Sequence, residues 1–291
     1  MSSSTGRTST GRTNTVLTIS GLAVDVAGRR VVDGVDLDLA AGEITALAGR
    51  SGSGKSLTAR AVAGLLPGGA TVSGRVLLNR DGRAEDLLGL SPHRLRRLRG
   101  SAIGYVFQES QAALNPTVTV GGHLLETLKA HGVPRPHRRT RGLAALRQAG
   151  LPAPERLWSA YPFELSGGQA QRVALALASA LDPPVLIADE VTSALDPVTQ
   201  AGVLDILRAG ARVGQRAVLL ITHDLAVAGC WADRLAVLDG GRIVESGPSC
   251  RVLRAPAHPF TADLVRASGV VPSGADSADA HVSARVAGER A

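Results

Sequence analysis

Apolar positions along this chain follow two rhythms. Leu17/Ile19 and Val35/Leu37/Leu39 alternate with polar neighbours, and Val72 to Leu78 reads the same way. Alternation with period two suits strands that have one wet face, so these stretches predict an antiparallel sheet, with turns at Gly28 and Gly34. Ile44 to Ala48, Val185 to Ala188 and Ala217 to Ile221 are apolar runs instead. Such runs predict strands buried on both faces. Leu57 to Leu66 has helical spacing and is stopped by Pro67, and Arg94 to Leu98 is a short basic helix. Ala102 to Phe107 predicts a further strand, Pro197 to about Ala211 a helix, and Arg234 to Val244 a hairpin around Asp239-Gly240-Gly241.

From Glu109 to Ala180 the pattern turns helical and loop-rich, punctuated by Pro116, Pro134, Pro136, Pro152, Pro154 and Pro162. This predicts a helical subdomain, about 109–180, inserted into an α/β domain spanning 16–265. Residues 1–15 are Ser, Thr, Gly and Arg with almost no apolar content, and predict a disordered leader; 266–291 predicts a flexible tail. No internal repeat is visible.

Composition narrows the classes. At 291 residues and 44% hydrophobic, the chain can build one large α/β domain with insertions. No run of about 18 apolar residues is present, so no transmembrane helix is predicted. The first residues lack the apolar core of a secretory signal. Cys230 and Cys250 alone make neither a disulfide framework nor a metal-ligand spacing, which makes a cytosolic protein the default. The net charge of +7 invites an anionic partner, with Arg-rich stretches at His93–Arg99 and Arg135–Arg141. Aromatics are only 2% of the chain, so stacking platforms for single-stranded nucleic acid are scarce. Such Arg-rich runs are most often solvated helix faces, and an anionic membrane surface is as good a sink for the charge as nucleic acid.

Chemistry concentrates at Gly49-Arg50-Ser51-Gly52-Ser53-Gly54-Lys55-Ser56, between an apolar strand and a helix that continues with Leu57. Strand, glycine-rich turn and helix in that order form the setting of a phosphate-binding loop. Its glycines let successive peptide N–H groups curl around phosphate oxygens at a helix N-terminus. Lys55 is one of only two lysines among 32 basic residues, and it stands where a compact ammonium reaches the β- and γ-phosphates. The Ser56 hydroxyl is a candidate Mg²⁺ ligand.

The second buried strand ends in Asp189-Glu190. It is expected beside the phosphate-loop strand, with Asp189 in the Mg²⁺ shell and Glu190 as general base toward a water. Gln108 closes the strand before the helical insert, and its amide oxygen can ligate Mg²⁺. His223 follows the third buried strand, in reach of a γ-phosphate. Taken singly, an acidic pair, a Gln or a His at a strand end is as readily an ordinary loop opening. Leu165-Ser166-Gly167-Gly168-Gln169 adds a second anion-binding device, a Ser N-cap with two glycines at a helix start. It lies outside the first loop's subdomain, so it best completes a neighbouring chain's site, with ATP sandwiched between two chains.

Together these stretches resemble the ATP-binding subunits of ABC transporters over about residues 16 to 265. Walker A (49–56), the Q-loop Gln108, the signature 165–169, Walker B with Asp189 and Glu190, the D-loop Ser193-Ala194-Leu195-Asp196 and the switch His223 occur in the family's order. The dipeptide, oligopeptide and nickel uptake branch is the most similar. Gly64-Leu65-Leu66-Pro67, Gln108-Glu109-Ser110 with Leu114-Asn115-Pro116, Tyr161-Pro162-Phe163-Glu164 and His258-Pro259-Phe260-Thr261 carry that likeness.

The resemblance implies a P-loop NTPase (RecA-like) core with an antiparallel β subdomain and an inserted α-helical subdomain. It further implies ATP and Mg²⁺ as cofactors, a nucleotide contact from Asp196, and attachment to the cytoplasmic face of the membrane. Two membrane-spanning permease subunits, a second ATPase subunit and an extracellular solute-binding protein are the implied partners; nucleic acid is not expected. An exporter motor, or a soluble ABC ATPase acting on nucleic acid, is the alternative. Three positions depart from the family's habit. Val26 stands where an adenine-stacking aromatic is usual, Val191 replaces a Pro, and a lone Cys250 cannot build a C-terminal iron–sulfur segment.

Overall fold

The computed structural model describes residues 14–80, 82–110, 112–193 and 195–269. Of the expected leader (1–15) and tail (266–291), residues 1–13 and 270–291 lie outside the described residues, as does Ala194 of the D-loop; Thr15 already begins a strand, and 266–268 are helical rather than tail.

An antiparallel sheet opens the chain. It contains β1 (Thr15–Val26), β2 (Arg29–Ala40), β4 (Thr71–Arg80) and β5 (Arg83–Asp86), in the order β2-β1-β4-β5. The alternation noted above puts Leu17, Ile19, Leu22 and Val24 on one buried face, paired with Leu39, Leu37, Val35 and Val32. Gly34 is not a turn. It lies inside β2 with φ +71°, where the register slips by one residue between the Leu22–Val35 and Val24–Val32 pairs. That is a β-bulge, whose left-handed residue costs glycine little.

The second sheet has six strands: β3 (Ile44–Ala48), β6 (Ile103–Val106), β7 (Val185–Asp189), β8 (Ala217–Ile221), β9 (Arg234–Asp239) and β10 (Arg242–Pro248). Their order is β10-β9-β3-β8-β7-β6, parallel except for the β9–β10 hairpin. The expected adjacency of β7 to β3 is therefore corrected, because β8 runs between them. All five residues of β8 are buried, which a strand achieves by having neighbours on both sides and packing on both faces. Alternate residues divide the core. Ile187, Leu219 and Leu47 pack with β1, β2 and α1 (Lys55–Val62), while Leu186, Leu220 and Ile44 pack with α7 (Pro197–Gly214) on the other face.

Helix α1 stops earlier than its spacing predicts. Gly64 takes φ +63° and donates to the Ala61 carbonyl, while Leu65 N–H donates to Arg60. This Schellman pair satisfies the last carbonyls, so Leu65 and Leu66 return to the core as loop rather than as helix. Helix α2 (Pro92–Leu98) follows, capped by the Ser91 hydroxyl.

Helices α3 (Val120–Ala130), α4 (Arg135–Gln148), α5 (Pro154–Leu157) and α6 (Gly167–Ser179) enclose a core of their own, built on Leu124, Leu128, Leu146, Val173 and Trp158. Trp158 is the keystone. Its indole lies against Gly121 of α3 and Gly142 of α4, where an added Cβ would come within 2.3 Å and 2.8 Å of the ring. Beyond β8 the described chain adds three more helices, α8 (Leu225–Trp231), α9 (Ser249–Arg254) and α10 (Pro259–Ser268). Like β5, these were not anticipated from the apolar pattern. Each is short, and α10 buries only Thr261 fully.

Gly121→Ala is expected to destabilise the protein by ~1–3 kcal/mol through overpacking against Trp158. Urea unfolding followed by tryptophan fluorescence measures it; an unchanged midpoint would contradict this packing.

Candidate functional site

Strands β3, β6, β7 and β8 are parallel, so their carboxyl ends share one edge of the sheet. Residues 49, 108, 189 and 223 lie at or just beyond those ends. This edge is where open α/β sheets hold ligands.

The loop after β3 is shaped by its glycines. A Cβ on Gly49 would lie 2.2 Å from the Leu238 carbonyl oxygen, and Gly52 and Gly54 adopt φ +76° and +103°. The turn delivers Lys55 to the start of α1, where it is buried and its Nζ donates to the carbonyls of Gly49 and Arg50 at 2.9 Å each. Burial pushes the Lys55 ammonium below its ordinary value, and the charges of Glu190 and Asp189 offset part of that. Leu57 packs its side chain against the core, so it offers the loop only its peptide N–H in the first turn of α1. Ser51 is exposed beside it. The Ser53 hydroxyl is buried with no hydrogen-bond partner among the described residues, an orphan that an anion's oxygen would satisfy. The Arg50 guanidinium sits 5.1 Å from the ring centre of Phe260 on α10.

At the end of β7, Asp189 is only 1% exposed. Its Oδ1 accepts from Ser56 Oγ at 2.8 Å and its Oδ2 from the Tyr105 hydroxyl at 2.7 Å. Burial, then the Asp189 charge and hydrogen bond, push the Tyr105 phenol far above the usual tyrosine range, so it stays a neutral donor. Glu190 has φ +48°, rare for a residue with a Cβ, and its N–H donates to Ile221 of β8 at 3.1 Å. Such a conformation costs of order 1 kcal/mol and persists only where the surroundings hold it. They do so here: Gln108 Nε2 donates to Glu190 Oε2 at 2.9 Å, and His223 Nδ1 lies 3.5 Å from Oε1. A small polar cavity of about 130 Å³ adjoins Glu190, His223, Thr222 and Ser193.

The fold thus brings Lys55, Ser56, Gln108, Asp189, Glu190 and His223 into one group. It does not bring in Leu165–Gln169, which no hydrogen bond or ion pair joins to residues 49–56 among the described residues. Ser166 and Gln169 cap α6 reciprocally, Leu165 is buried in the helical core, and a Cβ on Gly168 would fall 2.6 Å from Thr199 of α7. Gly167 faces open space. Asp196 caps α7, accepting from Val198 and Thr199 N–H at 3.1 Å. The Thr199 side chain and N–H hold its carboxyl below the usual value. Tyr105 is the member that sequence reasoning missed. Its signal was faint, a hydroxyl-bearing aromatic in an otherwise apolar strand, 84 residues from its partner.

A family profile described as ABC transporter matches residues 32–193. The chain belongs to the ABC transporter family. Among relatives of this ABC protein, the oligopeptide transport ATP-binding protein OppD of Mycobacterium tuberculosis is 44% identical over 243 residues, which are 83% of this chain and 39% of the relative. The chain therefore spans well under half the length of that relative. OppD of Lactococcus lactis subsp. cremoris is 38% identical, covering 85% of this chain and 73% of its own. Among solved structures, a dimeric ATP-binding cassette in a post-hydrolysis state with ADP and Pi superimposes with a TM-score of 0.69 at 29% identity, over 80% of this chain and 98% of that one.

The donor set fits a nucleotide with a hard divalent ion. Peptide N–H groups and a buried ammonium suit phosphate, while Ser56 and Asp189 offer oxygen only. No cluster of three or more His, Cys, Asp or Glu suited to a metal occurs among the described residues, so phosphate and water oxygens would complete such an ion's shell. Ser53→Ala should leave the thermal midpoint of the nucleotide-free protein unchanged or slightly raised, because the hydroxyl has no partner to lose. A midpoint lowered by several degrees would mean that Ser53 is already satisfied.

Proposed function

We propose that this chain is the ATP-binding and ATP-hydrolysing subunit of an ABC importer, driving uptake of peptides, nickel or a related small solute across the cytoplasmic membrane. The convergence of Lys55, Ser56, Gln108, Asp189, Glu190 and His223 on one sheet edge carries this reading. The loop 49–56 binds the β- and γ-phosphates through its N–H groups, and Lys55 exchanges two loop carbonyls for phosphate oxygens. Ser56, Asp189 and Gln108 would hold Mg²⁺, which supplies charge neutralisation on the phosphates when bound. Glu190 is the general base that takes a proton from the attacking water. Gln108 and His223 keep its carboxylate oriented, and its strained backbone fixes where that carboxylate stands.

Separation of Ser166–Gln169 from the chain's own loop supports a two-chain site, in which this segment and Asp196 serve nucleotide bound to a second ATPase subunit. Docking to two permease subunits falls to the helical body. Tyr161 and Phe163 stack at 5.5 Å on its surface, with Phe163 69% exposed, and Phe107 is exposed two residues after Tyr105. An apolar patch of this kind suits a partner at the membrane's cytoplasmic face. No helix among the described residues is long and apolar enough to cross a membrane, so the translocation path belongs to those partners, which an extracellular binding protein supplies with solute.

Lys55→Ala is expected to reduce phosphate release to background, since it removes the cation that binds the transferred phosphate; near-normal turnover would refute the site. Glu190→Gln should bind ATP without hydrolysing it and accumulate as a closed ATPase pair. Size-exclusion chromatography with partner subunits and ATP tests this, and a variant that stays monomeric there contradicts the two-chain site.

A further inference from the structure

Asp189 accepts one hydrogen bond on each carboxylate oxygen, and the two donors come from different elements. Ser56 belongs to the phosphate loop and its helix, whereas Tyr105 belongs to β6, the edge strand of the sheet. The register explains how Tyr105 reaches so far. Tyr105 pairs with Ile187, and Ile187 and Asp189 face the same side of β7. Two residues along a strand span about 6.6 Å, close to the reach of a tyrosine hydroxyl from its own Cα. A shorter side chain at 105 would end over Ile187. The ring is seated by the core and by Phe107, whose ring centre lies 4.7 Å away.

We propose that Tyr105 is a positioning residue of the cation site. By holding Oδ2 it stops the carboxylate from rotating, which keeps Oδ1 aimed at Ser56 and at the divalent ion that accompanies the nucleotide. This inference rests on the ATPase reading given above. It concerns the metal rather than the nucleotide itself, because Tyr105 makes no hydrogen bond to the loop 49–56 among the described residues.

The test is Mn²⁺ binding to the full chain with a saturating non-hydrolysable ATP analogue, read by electron paramagnetic resonance. Tyr105→Phe keeps the ring and removes only the hydroxyl. It is expected to weaken Mn²⁺ about tenfold, the scale of one hydrogen bond to a charged group. Affinity for the same analogue in EDTA should stay within about twofold, since the loop is untouched. Circular dichroism checks the fold, and Tyr105→Met, which also lacks the hydroxyl, should show the same metal-specific loss. Unchanged Mn²⁺ affinity in Tyr105→Phe, alongside clear weakening in Ser56→Ala and Asp189→Asn, overturns the role of Tyr105 alone. Unchanged affinity in all three overturns the cation site as well. Equal losses with and without metal would make Tyr105 merely structural, which also refutes the proposal.

Discussion

A carboxylate buried at the end of a strand must be satisfied by donors, because removing a charge from water without partners costs several kcal/mol. Asp189 meets this demand with two hydroxyls, Ser56 from 133 residues upstream and Tyr105 from 84. Those two bonds tie the phosphate loop to β7 and β7 to β6. Because β8 separates β7 from β3, no backbone pairing joins the loop strand directly to the Asp189 strand. The side-chain bond from Ser56 spans that gap, and the geometry of this edge of the sheet depends on it.

Glu190 stands one residue further along and shows the complementary arrangement. Its left-handed backbone turns the carboxylate toward Gln108 and His223 instead of letting it continue the strand's alternation. Two successive acids therefore hold separate partners: Asp189 faces the loop hydroxyl, and Glu190 faces the polar cavity. Gln108, two residues beyond β6, links this arrangement to the segment that leads into the helical body. The helical body has its own core, closed by Trp158 between two glycines, while Leu175 and Ala178 of α6 pack against the sheet and α7.

Much of the site was legible because its parts are local. Glycines at 49, 52 and 54, a lysine where lysines are rare, and a Ser N-cap with Gln169 three residues on are short-range devices. Their geometry is set mainly by neighbours in the chain, and at Gly49 also by the Leu238 carbonyl of β9. The strands were legible for a similar reason, since alternation or its absence reports how many faces are covered. The errors arose where partners from elsewhere intervene. Gly34 read as a turn because glycine marks both turns and bulges, and only pairing with β1 distinguishes them. Helix α1 was read too long because Leu65 and Leu66 are apolar for the core they reach as loop. The helices α8 to α10 are six to ten residues long, too short for a helical period to stand out against the neighbouring strands and loops.

By itself, the sequence determined most strands of both sheets, the glycine-rich loop and the set of groups able to do phosphate chemistry, because each is encoded within a few residues. Tertiary structure decided the strand order, which places β8 between the two strands that carry the loop and the acids. It also decided that Tyr105 is part of the site and that the Ser166 segment stands apart from the chain's own loop. Those are matters of distance between residues far apart in the chain, and only the packing of the sheet and helices sets them.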